Sequence, residues 1–123
     1  MAGITDASFV GDPHERRSQG GYLYLLGEAT VSWKCYRIST VAQSTPEAEY
    51  VAAFDYAADG IYLRNFLGEL GFPQMGPTPI FTDSTGVQGM VISPTSRCRT
   101  KHIEIHYHYV RDHVAQDRFV CAV

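Results

Sequence analysis

The sequence predicts an α/β fold: a mixed five-stranded sheet, its first three strands antiparallel, flanked by helices. Three observations carry that expectation. The first third of the chain holds three β-prone stretches joined by short turns, which suits an antiparallel meander. Two long stretches, from Ser44 to about Leu70 and from Thr100 to Gln116, read as helices. A β-prone stretch follows each of them, so the order is β-β-β-α-β-α-β. At 123 residues the chain is expected to form one domain, over 1–123.

Each element has its local reason. Met1 to Phe9 reads as a first strand, with Ile4, Asp6 and Ser8 on one face and Thr5, Ala7 and Phe9 on the other. Gly11-Asp12-Pro13 signals a turn, and His14 to Gln19 a charged loop with Arg16 and Arg17. Gly20-Gly21 leads into Tyr22-Leu23-Tyr24-Leu25-Leu26, and Gly27-Glu28 offers a hairpin turn. Ala29 to Tyr36 alternates as a half-buried strand would: Val31, Trp33 and Cys35 against Thr30, Ser32, Lys34 and Tyr36. Ser44-Thr45-Pro46-Glu47 can cap and open a helix. Leu63, Phe66, Leu67 and Leu70 repeat at helical spacing, Gly60 weakens the middle by roughly 1 kcal/mol relative to Ala, and Gly71 with Pro73 stops it. Pro77 to Asp83 is the fourth strand, with Pro79 kept near its start. Ser84 to Val91 suits a short helix and Ser93 to Arg99 a loop. The second long helix has Ile103, Tyr107, Val110 and Val114 as its apolar stripe, and Arg118 to Val123 reads as the last strand.

Composition narrows the function. The net charge of −3 excludes a strongly basic binder, so contact with nucleic acid must be local or carried by metal ions. No apolar run is long enough to span a bilayer, and no secretory pattern opens the chain. Cys35, Cys98 and Cys121 are odd in number and form no CxxC pair, which fits reduced thiols. These points predict an intracellular protein, cytoplasmic or nuclear, without a membrane partner.

Three acids stand where ordered elements would hold them: Asp6 on the first strand, Glu49 at the start of the first helix and Asp83 at the end of the fourth strand. Strand, helix and strand could converge carboxylates on Mg²⁺, a hard cation that takes carboxylate oxygens and keeps several waters. Taken singly, each acid also suits a turn, a first helical turn or an N-cap.

The words around these acids are more specific. Asp6-Ala7-Ser8-Phe9-Val10-Gly11-Asp12, Arg16-Arg17-Ser18, Gly21-Tyr22 and Ser32-Trp33 come first. Ser44-Thr45-Pro46-Glu47-Ala48-Glu49-Tyr50 opens the helix, and Leu63-Arg64-Asn65-Phe66-Leu67 and Glu69-Leu70-Gly71 end it. Arg99-Thr100-Lys101-His102-Ile103-Glu104-Ile105-His106-Tyr107-His108 comes last. Together they resemble the RNase H domain of copia-type LTR retrotransposon polyproteins, over nearly the whole chain.

That resemblance implies an RNase H-like fold and a ribonuclease H cutting the RNA strand of RNA–DNA hybrids. It implies Asp6, Glu49 and Asp83 as catalytic metal ligands, with Mg²⁺ as cofactor and Mn²⁺ as a substitute. In the family a fourth carboxylate lies on a helix after the fifth strand. The sequence ends at Val123 inside that strand, so a domain lacking the final helix is expected, with self-association through the C-terminal edge. Glu104 and Asp112 do not occupy the matching place. The alternative is an RNase H-fold module that binds or assembles without catalysis.

Arg97, Arg99 and Lys101 cluster as candidate phosphate contacts. His102 and His106 stand at i and i+4 but lack a zinc motif, so a solvated helix face is expected. Trp33 and Tyr22 could stack on a sugar or base, though core aromatics on alternating strands are the simpler expectation.

Overall fold

The computed structural model describes residues 1–8, 19–37, 45–83, 88 and 101–122. Its strands are β1 (Ala2–Ser8), β2 (Gln19–Leu26), β3 (Ala29–Arg37), β4 (Thr78–Phe81) and β5 (Phe119–Ala122). Helix α1 (Thr45–Glu69) connects β3 to β4, and α2 (Lys101–Ala115) precedes β5. The short helix and loop expected over 84–99 lie outside the described residues, apart from Gln88, which is helical. No helix among the described residues is long and apolar enough to cross a membrane.

The five strands form one mixed sheet in the order β3-β2-β1-β4-β5. β1, β2 and β3 pair antiparallel as expected, while β4 lies parallel to both β1 and β5. Gly27 takes φ 64° at the first position of the two-residue β2–β3 turn, where a residue with a Cβ would be strained. Pro79 has no N–H to donate, and it precedes the short β1–β4 ladder, which begins at the Gly3–Ile80 pair.

Both helices end in the same motif. Phe72 N–H reaches the Leu67 carbonyl (2.8 Å) and Gly71 N–H that of Gly68 (3.1 Å), closing α1 with Gly71 at φ 88°. At the end of α2, Arg118 N–H bonds His113 O (3.1 Å) and Asp117 N–H bonds Val114 O (3.0 Å), with Asp117 at φ 54°.

The core lies on one face of the sheet, where Tyr24, Ile80 and Phe119 meet Ala53, Tyr56 and Ala57 of α1 and Val110 of α2. Tyr24 stacks on Tyr56 with ring centroids 4.6 Å apart and donates its hydroxyl proton to the Tyr56 carbonyl at 2.6 Å. Burial holds both phenols well above their ordinary pKa.

Two expectations are corrected here. The fully buried stripe of α1 is Ala52, Ala53, Tyr56, Ala57 and Gly60; of the Leu63–Leu70 repeat, Leu63 packs against the core while Phe66 and Leu70 are exposed. Small residues win because two tyrosine rings stand between helix and sheet and need the space. Strand β3 is not half-buried in the expected sense either. It is an edge strand, and its face with Val31, Trp33 and Cys35 is exposed.

Candidate functional site

Parallel pairing of β1 with β4 builds the site. Gly3 pairs with Ile80 and Ile4 with Phe81. Continuing that register two residues brings Asp6 level with Asp83, just past the end of β4. Period-two alternation puts Ile4 and Asp6 on one face, and Phe81 and Asp83 likewise. Both acids are exposed and line a single concavity of about 420 Å³ with Ile4, Thr5, Phe81, Thr82 and Ala122. The carboxyl ends of neighbouring parallel strands are where open α/β sheets gather ligand-binding groups.

Local bonds hold the two backbones in place. Thr5 is buried, and its hydroxyl donates to the Gly21 carbonyl at 3.3 Å, fixing β1 to β2 next to Asp6. The Gln88 side-chain amide donates to the Thr82 carbonyl at 3.0 Å, beside Asp83. Farther back, the Arg64 guanidinium donates to the carbonyls of Gln74 (2.9 Å) and Gly76 (2.9 Å) and to Thr78 Oγ1 (2.7 Å). This clamp ties α1 to the start of β4.

Helix α1 runs antiparallel to β1. Gly3 packs against the Tyr56 ring, whereas Gly20, the partner of Ala7, faces Ala52 Cβ at 3.4 Å from where its own Cβ would be. The N-terminus of α1 is therefore directed toward the end of β1 that carries Asp6. Position 49 lies one turn before Ala52 and Ala53, ~5 Å farther toward that end. The Glu49 side chain lies outside the described residues, as do Arg97, Arg99 and the side chain of Lys101. Among the described residues no three His, Cys, Asp or Glu side chains gather as a metal group. The site as described is a pair of carboxylates in one concavity, at the end of the sheet toward which the N-terminus of α1 is directed.

Glu104 faces His108 at 3.8 Å along α2. The side chains of His102 and His106 lie outside the described residues. Cys35 and Cys121 are free thiols, with burial raising the pKa of Cys121; Cys98 lies outside the described residues. Tyr22 contacts the tyrosine core edge-on. Trp33 is 73 % exposed, so it is not the core aromatic that strand alternation suggested.

No family model matches the chain. It is 37 % identical over 114 residues to the retrovirus-related Pol polyprotein from transposon TNT 1-94 of Nicotiana tabacum. It is 32 % identical over 110 residues to the corresponding polyprotein from transposon RE1 of Arabidopsis thaliana. These matches cover 93 % and 89 % of the chain but only 8 % of each polyprotein. Among solved structures, RNase H1 from the archaeon Halobacterium salinarum superposes with a TM-score of 0.57 at 14 % identity, over 98 % of this chain and 79 % of that one.

Proposed function

We propose that this chain, homologous to a segment of the retrovirus-related Pol polyproteins of transposons and folded like a ribonuclease H, hydrolyses the RNA strand of an RNA–DNA hybrid with Mg²⁺. The observation that carries the proposal is the shared concavity of Asp6 and Asp83 at the ends of two parallel strands. Two exposed carboxylates that line one concavity repel one another, so a cluster of this kind is stabilised by cations. The donor set is all oxygen, which suits Mg²⁺ rather than a metal that prefers nitrogen or sulfur.

Asp6 and Asp83 would hold the ions from the strand ends, and Glu49, the fifth residue of α1, would add a third carboxylate. Mn²⁺ would substitute at the same oxygens. Bound Mg²⁺ supplies a lowered pKa for an attacking water and charge neutralisation on the leaving oxygen. The protein's own share is positioning. Thr5, Gln88 and the Arg64 clamp hold the two backbones, and the N-terminus of α1 favours the anionic phosphate. Water adds to the scissile phosphorus as the bond to the ribose 3′-oxygen breaks. The attacking water gives up a proton to solvent, the departing 3′-oxygen takes one from solvent, and the products are a 5′-phosphate and a 3′-hydroxyl. Arg97, Arg99 and Lys101 are the proposed phosphate contacts of the hybrid.

The test is cleavage of a hybrid labelled on its RNA strand, beside the matching DNA duplex. Mg²⁺-dependent cutting of the RNA, lost in Asp6→Asn and in Asp83→Asn, is expected. A folded protein that leaves the hybrid intact in both Mg²⁺ and Mn²⁺ would refute the proposal.

A further inference from the structure

On the sheet face away from the helices, strand pairing sets five residues in one row. Trp33 of β3 pairs with Leu23, Leu23 with Ile4, Ile4 with Phe81 and Phe81 with Ala122. The row is apolar from edge to edge, and Trp33 is its most exposed large member. The next row along β3, β2 and β1 is Cys35, Gly21 and Asp6. Gly21 has no side chain, so a hollow of about 320 Å³ opens between Cys35 and Asp6. This hollow shares Ile4 and Asp6 with the concavity that holds Asp83. The two form one groove across the sheet, passing over Asp6.

Trp33 stands at the far margin of that groove, since Leu23 beside it and Cys35 two residues along both line the hollow. Arg37, also exposed, follows on the same face of β3. Strands lie ~4.8 Å apart and residues rise ~3.3 Å, so Trp33 is ~12 Å from Asp6 across the sheet. That span equals three to four nucleotide rises of ~3.4 Å.

We infer that Trp33 is a stacking platform for a nucleotide of the bound hybrid, held in the groove that leads to Asp6 and Asp83. This rests on the ribonuclease reading above. An indole left in water by folding adds little to stability, whereas stacking on a base is worth ~1–3 kcal/mol. The occupant is nucleic acid because an exposed indole stands beside a groove whose carboxylates attract cations. A purely apolar protein surface would have to strip water from Asp6. Trp33 is thus a positioning residue: it sets where the strand lies and touches no reacting atom.

Trp33 is the single tryptophan of the chain, so its emission reports this contact alone. The experiment titrates the protein with an RNA–DNA hybrid in Ca²⁺ while following tryptophan fluorescence. It then measures cleavage in Mg²⁺ for the parent, Trp33→Ala and Trp33→Phe, with circular dichroism checking that each is folded. Quenching by the hybrid, a KM raised roughly tenfold in Trp33→Ala with little change in kcat, and recovery in Trp33→Phe are expected. Cleavage with unchanged emission and an unchanged KM in Trp33→Ala would overturn this inference and leave the ribonuclease reading standing. Quenching without cleavage would uphold the stacking role and remove the ribonuclease reading. A protein that neither quenches nor cuts would overturn both.

Discussion

A methyl group at position 60 would run into the Tyr24 hydroxyl and ring and stand 3.0 Å from Phe119 Cε1. Two effects compete in Gly60→Ala. Helix propensity favours Ala by ~1 kcal/mol, while overpacking a tight core costs ~1–3 kcal/mol. The Tyr24 hydroxyl is buried and bonded to the Tyr56 carbonyl, so it cannot step aside cheaply. Overpacking therefore wins, and thermal unfolding should show Gly60→Ala as destabilised. The loss should shrink in a Tyr24→Phe background, which removes the nearest clashing atom. The same tyrosines set the alkaline limit. The Tyr22 phenol is pushed from 10.0 up to about 12, chiefly by burial and then by Asp59 and Asp55. Tyr24, Tyr36 and Tyr56 shift the same way, with burial again the largest cause. As pH rises, these phenols ionise in the unfolded chain before they ionise in the folded one. Stability is thus full below pH 10 and declines from there through about pH 12. Tyrosinate absorbance followed beside circular dichroism should show ionisation and unfolding arriving together. Titration of all the tyrosines near pH 10 in a folded protein would contradict this account.

Turning to elements, the two helix ends share a geometry but not a residue. Gly71 adopts its positive φ at no steric cost, whereas Asp117 adopts it with a side chain. Asp117→Gly relieves a strain of ~1 kcal/mol and adds some backbone entropy to the unfolded chain. A net gain of a few tenths of a kcal/mol is expected from chemical denaturation, and Gly71→Ala should lose about 1 kcal/mol by the same strain in reverse. Strand β4 depends on a longer connection. Arg64 supplies three charge-assisted bonds to Gln74, Gly76 and Thr78, and so fixes where β4 begins. Because β4 is only four residues long, its far end inherits that placement. Arg64→Ala should cost ~1.5–3 kcal/mol and loosen the end carrying Asp83. Amide exchange across 74–83 is the measurement, and protection equal to that of the parent would count against the clamp.

At the scale of the molecule, the order of elements was legible because turn residues and periodicity change at each boundary. The mixed sheet followed from it, since a long helix between β3 and β4 lets β4 run parallel to β1. The buried stripe of α1 was not legible. Ala52, Ala53, Ala57 and Gly60 are weakly apolar, and their burial depends on tyrosines from strands distant in sequence. Exposure of Trp33 was equally hidden, because alternation along a strand separates two faces without saying which one is covered. Asp6 and Asp83 stood out in the sequence as acids at strand ends, but only the parallel register puts them in one concavity. That juxtaposition leads to a thermodynamic test. Two carboxylates without a cation repel, so Asp83→Asn should hold or raise stability in the absence of divalent ions. The parent should gain from Mg²⁺ by RT ln(1 + [Mg²⁺]/Kd), about 1.4 kcal/mol at ten times Kd. Thermal unfolding of the parent should shift upward as Mg²⁺ is added, while Asp83→Asn and Asp6→Asn should lose most of that shift. If Asp83→Asn instead lowers stability and keeps the full response to Mg²⁺, Asp83 acts on the local backbone and the ions bind elsewhere.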